Sequence, residues 1–124
     1  MKPSILIVDD EKLIRQSLVN FLSCDYTVYD APNGVEALRI LSENKGIELV
    51  LSDVKMPEMD GLELLEKICS GNNDLIVILM TAYFTAELAA DVKRRGAYDC
   101  LPKPFALTEL ESTIKNALGK SKGH

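Results

Sequence analysis

Apolar and polar positions along the chain follow two rhythms. Ile5-Leu6-Ile7-Val8, Leu49-Val50-Leu51 and Leu75 to Met80 are unbroken apolar runs, the pattern of strands buried on both faces. Thr27-Val28-Tyr29 and Tyr98 to Leu101 are shorter and mixed, as edge strands are. Between these runs the apolar residues recur at helical spacing: Leu13, Ile14, Leu18, Phe21 and Leu22; Leu62, Leu65 and Ile68; Leu107, Leu110, Ile114, Ala117 and Leu118. Residues 85–95 predict a helix with mostly alanine on its apolar side, ended by Gly96. Asn33-Gly34-Val35-Glu36 and Asp60-Gly61-Leu62-Glu63 read as capping boxes opening two more helices.

Strict strand–helix alternation predicts an α/β fold: a five-stranded parallel sheet between two helical layers, a (βα)5 three-layer sandwich. Apolar strands one, three and four belong in the middle, and mixed strands two and five at the edges. With right-handed crossovers this gives the flavodoxin-like order 2-1-3-4-5, whose switch point lies between strands one and three, where ligands bind at the carboxyl ends. Asp9, Asp10, Asp53, Thr81 and Lys103 all fall where an apolar run ends. In this topology they meet at one sheet edge, with the acids at the switch point.

The 124 residues fit one domain, taken as 1–119, with 120–124 as a polar tail, linker start or expression remnant. A net charge of −5 argues against nucleic-acid binding by this domain, which needs a basic face. Cys24, Cys69 and Cys100 are odd in number, with no CxxC, and read as reduced thiols of a cytoplasmic protein. The apolar runs are too short for a membrane span, and Met1-Lys2-Pro3 leads into a strand without a signal peptide. His124 is the sole histidine, so a phosphohistidine must come from elsewhere.

The strand-end set is chemically complete. Neighbouring carboxylates on two strands repel unless a cation sits between them, and an oxygen-rich site open to water suits Mg²⁺, with Mn²⁺ as a substitute. A carboxylate at the mouth of the crevice, Asp53, can act as nucleophile and carry an aspartyl phosphate. Lys103 supplies a second positive charge, and the Thr81 hydroxyl and the following amide, that of Ala82, donate to a phosphoryl oxygen. Singly, each residue has an ordinary reading: Asp10 as a helix cap, Asp9 and Asp53 as turn formers, Thr81 as a strand-end turn, Lys103 as a solvated lysine. Their shared edge favours the site.

With these residues in place, the chain resembles the receiver domain of two-component response regulators. The motifs are Ile7-Val8-Asp9-Asp10-Glu11, Leu51 to Gly61, Met80-Thr81-Ala82 and Leu101-Pro102-Lys103-Pro104-Phe105, in order, over residues 4–118. The resemblance implies that Asp53 takes a phosphoryl group from the phosphohistidine of a sensor histidine kinase or phosphotransfer protein. It implies Mg²⁺ on Asp10 and Asp53, on Asp9 through water, and on the Lys55 backbone carbonyl. It also implies a cis Lys103–Pro104 peptide, a Thr81 that moves on activation, and a remodelled face of helix four, strand five and helix five, through which such domains can form homodimers. Lys55 and Tyr83 occupy the family's two variable flanking positions, where long side chains hinder the hydrolytic water. Gly61 to Glu66 and Gly96 to Phe105 look most like receivers of nitrogen-regulation-type transcription factors; a stand-alone regulator and a hybrid-kinase receiver are the other settings.

Two positions depart from the family pattern. Cys100 stands where an aromatic switch residue is usual, and a thiol cannot move the roughly 150–250 Å² that an aromatic buries. Ala106 stands where Asp often caps the last helix, forfeiting about 1 kcal/mol unless Thr108 compensates. Other functional classes fit less well. A small aspartyl-phosphate hydrolase places an acid two residues after the nucleophile, where this chain has Lys55. A flavin module needs a Ser/Thr/Gly-rich loop where Asp10-Glu11-Lys12 stands.

Overall fold

A computed structural model describes residues 2–71 and 74–123. The elements alternate as predicted: β1 (Ser4–Val8), α1 (Lys12–Leu22), β2 (Thr27–Ala31), α2 (Gly34–Glu43), β3 (Ile47–Asp53), α3 (Gly61–Gly71), β4 (Ile76–Thr81), α4 (Ala86–Arg94), β5 (Asp99–Pro102) and α5 (Leu107–Gly123). All neighbouring strands pair in parallel, in the order β2-β1-β3-β4-β5. This is the flavodoxin-like arrangement that the apolar runs predict.

Burial explains the order. Ile5 to Val8, Leu49 to Leu51 and Val77 to Met80 are fully or almost fully buried, whereas β2 and β5 keep exposed positions. Because strand side chains alternate, the two faces build separate cores. Leu6, Val8, Val50 and Leu79 pack towards α2, α3 and α4, through Ala37, Leu64, Leu65 and Val92. Ile5, Ile7, Leu51 and Ile78 pack towards α1 and α5, through Leu18, Leu22, Leu110 and Ile114. Each such aliphatic side chain contributes about 1.5–3 kcal/mol of burial.

The helix ends differ in detail from the sequence patterns. Asn33 accepts from the Glu36 amide at 2.9 Å and Asp60 from the Glu63 amide at 2.9 Å, as capping boxes require. Thr85 does the same for α4, accepting from Leu88 N at 3.0 Å. At α5, Thr108 is not the compensating cap: the helix starts at Leu107, and the Glu109 carboxylate reaches back to accept from Ala106 N at 3.3 Å. The α5 backbone stays helical to Gly123, through residues 120–123 of the segment read as a polar tail. A glycine ends a helix by taking a positive φ, and among the described glycines only Gly96 does so, at 116°. His124 lies outside the described residues.

Candidate functional site

The carboxyl ends of β1, β3, β4 and β5 bring the strand-end residues together. Asp9 directly follows β1, Asp53 and Thr81 are the last residues of β3 and β4, and Lys103 directly follows β5. Asp53 and Thr81 thus lie inside their strands rather than just past them, because the ladder runs beyond the apolar residues and pairs Asp53 with Met80 and Thr81 with Pro102.

The Lys103 ammonium lies between two carboxylates, with Nζ 3.0 Å from Asp53 Oδ2 and 3.1 Å from Asp9 Oδ2. Burial opposes its charge, but the hydrogen bonds from Asp53 and Asp9 and their negative charges outweigh it and raise the Lys103 pKa. The ammonium is therefore fixed. Asp9 is wholly buried, and its other carboxylate oxygen accepts from Glu11 N at 2.9 Å. That bond bears on Asp10, for which helix capping is the ordinary reading: the N-cap position of α1 is Glu11, which makes no side-chain cap, and Asp10 is exposed at the cluster. Asp53 is nearly buried, and its Oδ1 receives a long 3.4 Å bond from Lys55 N.

One carboxylate oxygen from each of Asp9, Asp10 and Asp53 can be chosen so that all lie within 4.8 Å of one another. Among the described residues this is the one such group of three or more potential ligands. The donors are all hard oxygens, and one carboxylate faces solvent, which fits a small divalent cation that retains water.

Thr81 is buried, and its Oγ1 accepts from Tyr83 N at 3.0 Å, so the hydroxyl is tied to the β4–α4 loop. Ala82 and Tyr83 in that loop are exposed. Lys55 and Tyr83 meet: the ammonium lies 5.6 Å from the ring centroid, a cation–π distance that neither sequence position announced. Lys103–Pro104 is cis. Cys100 is buried against the α4 side of the sheet. Burial first, and the Asp99 charge second, push its thiol pKa up. A buried thiol held in its protonated form is a poor nucleophile, which fits a packing role for Cys100.

Sequence reading missed Arg15. Its Nη1 donates to the Asp9 carbonyl at 2.7 Å and its Nε to Asp30 Oδ2 at 2.7 Å. A polar residue between Ile14 and Leu18 on a helix reads as solvated surface, and nothing local connects it with Asp30.

The model of the response regulator receiver domain matches residues 5–115. The response regulator MprA of Mycobacterium ulcerans is 41% identical over 123 residues, which cover 98% of this chain and 53% of that protein. The sensor kinase CckA of Brucella abortus is 40% identical over 119 residues, 94% of this chain and 13% of the kinase. The crystal structure of a response regulator receiver domain protein from Clostridium thermocellum superposes with a TM-score of 0.90 at 33% identity, covering 96% of each chain. The chain thus spans about half the length of MprA and a smaller share of CckA. These relatives do not support the nitrogen-regulation-type likeness drawn from Gly61 to Glu66 and Gly96 to Phe105. Both segments meet demands of the fold itself. A Cβ at Gly61 would lie 2.3 Å from Asp53 O, and Gly96 needs its positive φ to turn out of α4, so neither glycine discriminates among output domains. The family model, the relatives and the solved structure agree on the fold, and the chain belongs to the response regulator receiver domain family.

Proposed function

We propose that Asp53 accepts a phosphoryl group from the phosphohistidine of a sensor histidine kinase or phosphotransfer protein. The observation that carries this reading is the position of the Lys103 ammonium, 3.0 Å from Asp53 and 3.1 Å from Asp9, beside a three-carboxylate cluster. An Asp53 carboxylate oxygen forms the new O–P bond as the donor's N–P bond breaks, and the imidazole nitrogen leaves with the electron pair. Lys103 stays protonated and transfers its attraction from the two carboxylates to the phosphoryl oxygens. Asp9, Asp10 and Asp53, with the Lys55 backbone carbonyl, would hold Mg²⁺, and Mn²⁺ suits the same donors. The bound cation supplies neutralisation of the charge on the transferring group.

Thr81 and the Ala82 amide donate to the remaining phosphoryl oxygen. As the Thr81 side chain turns towards the phosphoryl group, its Oγ1 moves away from Tyr83 N, from which it accepts, and the β4–α4 loop moves with it. In this chain the movement reaches α4 through that loop alone, because buried Cys100 is too small to act as an aromatic switch. Lys55 and Tyr83 pair over the mouth and slow the water that hydrolyses the aspartyl phosphate. The domain catalyses its own phosphorylation and dephosphorylation and acts on no external substrate. Its signal leaves by the α4–β5–α5 face, to an output domain that is transcriptional in the MprA-like setting, or to a second copy of the domain. The domain acts in the cytoplasm, as its likeness to receiver domains supports; among the described residues no helix is long and apolar enough to cross a membrane. A structure with a phosphoryl mimic bound tests the loop route: residues 82–95 move if the reading holds, and stay still if it does not.

A further inference from the structure

We propose that Arg15 is a positioning residue for the acidic site: its guanidinium fixes the plane of the Asp9–Asp10 peptide and so sets the angle at which the two carboxylates meet a divalent cation. The inference rests on the reading of the cluster as a Mg²⁺ site.

Arg15 lies in the first turn and a half of α1, and its amide bonds the Glu11 carbonyl at 3.0 Å. Helical side chains lean towards the N-terminus, which carries this one back to the carboxyl edge of the sheet. There the side chain is only 14% exposed. Nη1 donates to the Asp9 carbonyl oxygen and Nε to Asp30 Oδ2, both at 2.7 Å. The Asp9 amide donates to the Ala31 carbonyl at 3.2 Å. Both main-chain polar groups of Asp9 are therefore anchored to the end of β2, the amide directly and the carbonyl through the Arg15–Asp30 pair. That carbonyl belongs to the peptide joining the two acids, so its orientation governs where the exposed Asp10 stands relative to buried Asp9. A planar guanidinium with two fixed donors holds this orientation far better than a single ammonium could.

The charge of Arg15 makes the proposal decidable. A cation beside a site for another cation opposes binding, so charge alone says that removing it should tighten the site. Positioning says the reverse. Loss of a partner that orients metal ligands typically weakens affinity by about 10–100-fold. The experiment is a Mn²⁺ titration of the whole chain, followed by the electron paramagnetic resonance signal of the free ion, far below each variant's thermal midpoint. Wild type should bind, and Asp10→Asn should abolish or greatly weaken binding. Arg15→Met should bind about tenfold more weakly. Arg15→Lys keeps the charge and loses the fork; charge alone expects no change, whereas positioning expects a smaller loss in the same direction as Arg15→Met. Wild-type or tighter affinity in Arg15→Met, or in Arg15→Lys if the methionine variant does not fold, overturns the role of Arg15 while the site reading stands. A wild-type chain that binds no divalent cation overturns both.

Discussion

Replacing Gly61 by alanine strikes the place where fold and site share one backbone. Gly61 opens α3, and its amide donates to the Val54 carbonyl at 2.8 Å, drawing the helix start against the end of β3. An added Cβ would lie 2.3 Å from Asp53 O and 2.9 Å from Val54 Cα, where real contacts do not fall below 3.0 Å. Both atoms are main chain, so no rotamer relieves the clash, and the strand end must yield by roughly 0.7 Å, the difference between 3.0 and 2.3 Å. Overpacking of this kind costs about 1–3 kcal/mol. Unfolding entropy near 2.1 cal/mol/K per residue means that each kcal/mol lowers the midpoint of a domain this size by about 4 °C, so a fall of about 4–12 °C is expected. The displaced group is the main chain of Asp53, the proposed nucleophile. A misplacement near 1 Å can cost about 100-fold in rate, so phosphorylation should slow by about 10- to 100-fold even well below the midpoint. Thermal denaturation and the initial rate of phosphorylation by a small phosphodonor with Mg²⁺ measure the two effects separately. Wild-type stability together with a wild-type rate would refute the close-approach argument. A stability loss with an unchanged rate would refute the claim that the strand end transmits the shift to the site.

Three further outcomes follow from individual contacts. Lys55→Ala with Tyr83→Ala removes an exposed cation–π pair worth about 0.5–1 kcal/mol, and aspartyl-phosphate hydrolysis, timed by loss of label, should accelerate about two- to fivefold; an unchanged rate would refute the shielding. Buried Cys100, with its thiol pKa raised, should resist alkylation in the native protein at neutral pH while exposed Cys24 reacts, as read by peptide mass after brief labelling; equal labelling would contradict the packing of β5. Glu109→Ala removes the acceptor for Ala106 N and should cost about 0.5–1 kcal/mol in urea unfolding, whereas Thr108→Ala should cost less, and the opposite ranking would return the capping role to Thr108.

The strand order was legible because central strands of a parallel sheet must be apolar on both faces, and Ile5 to Val8, Leu49 to Leu51 and Leu75 to Met80 have no polar interruption. The acids were legible for the same reason: in such a sheet a polar residue ending a core strand has few places to go except the carboxyl edge. What sequence could not show depends on long side chains and loop geometry. Arg15 meets Asp30 only because its side chain turns back along α1. Lys55 meets Tyr83 only because two loops, one with Glu58 at a φ of 67°, bring them together. The cap on α5 passes to Glu109 because the helix starts at Leu107 and leaves the Ala106 amide for a side chain three residues on, and Gly119 does not end it because composition alone does not make a glycine adopt a positive φ.

Phosphorylation of the whole chain tests the central claim most directly. With Mg²⁺ and a small-molecule phosphodonor, intact mass should gain one phosphoryl group, the gain should require the divalent cation, and Asp53→Asn should abolish it. No uptake by the wild-type chain, or equal uptake by Asp53→Asn, would contradict the assignment of Asp53 as the phosphoryl acceptor.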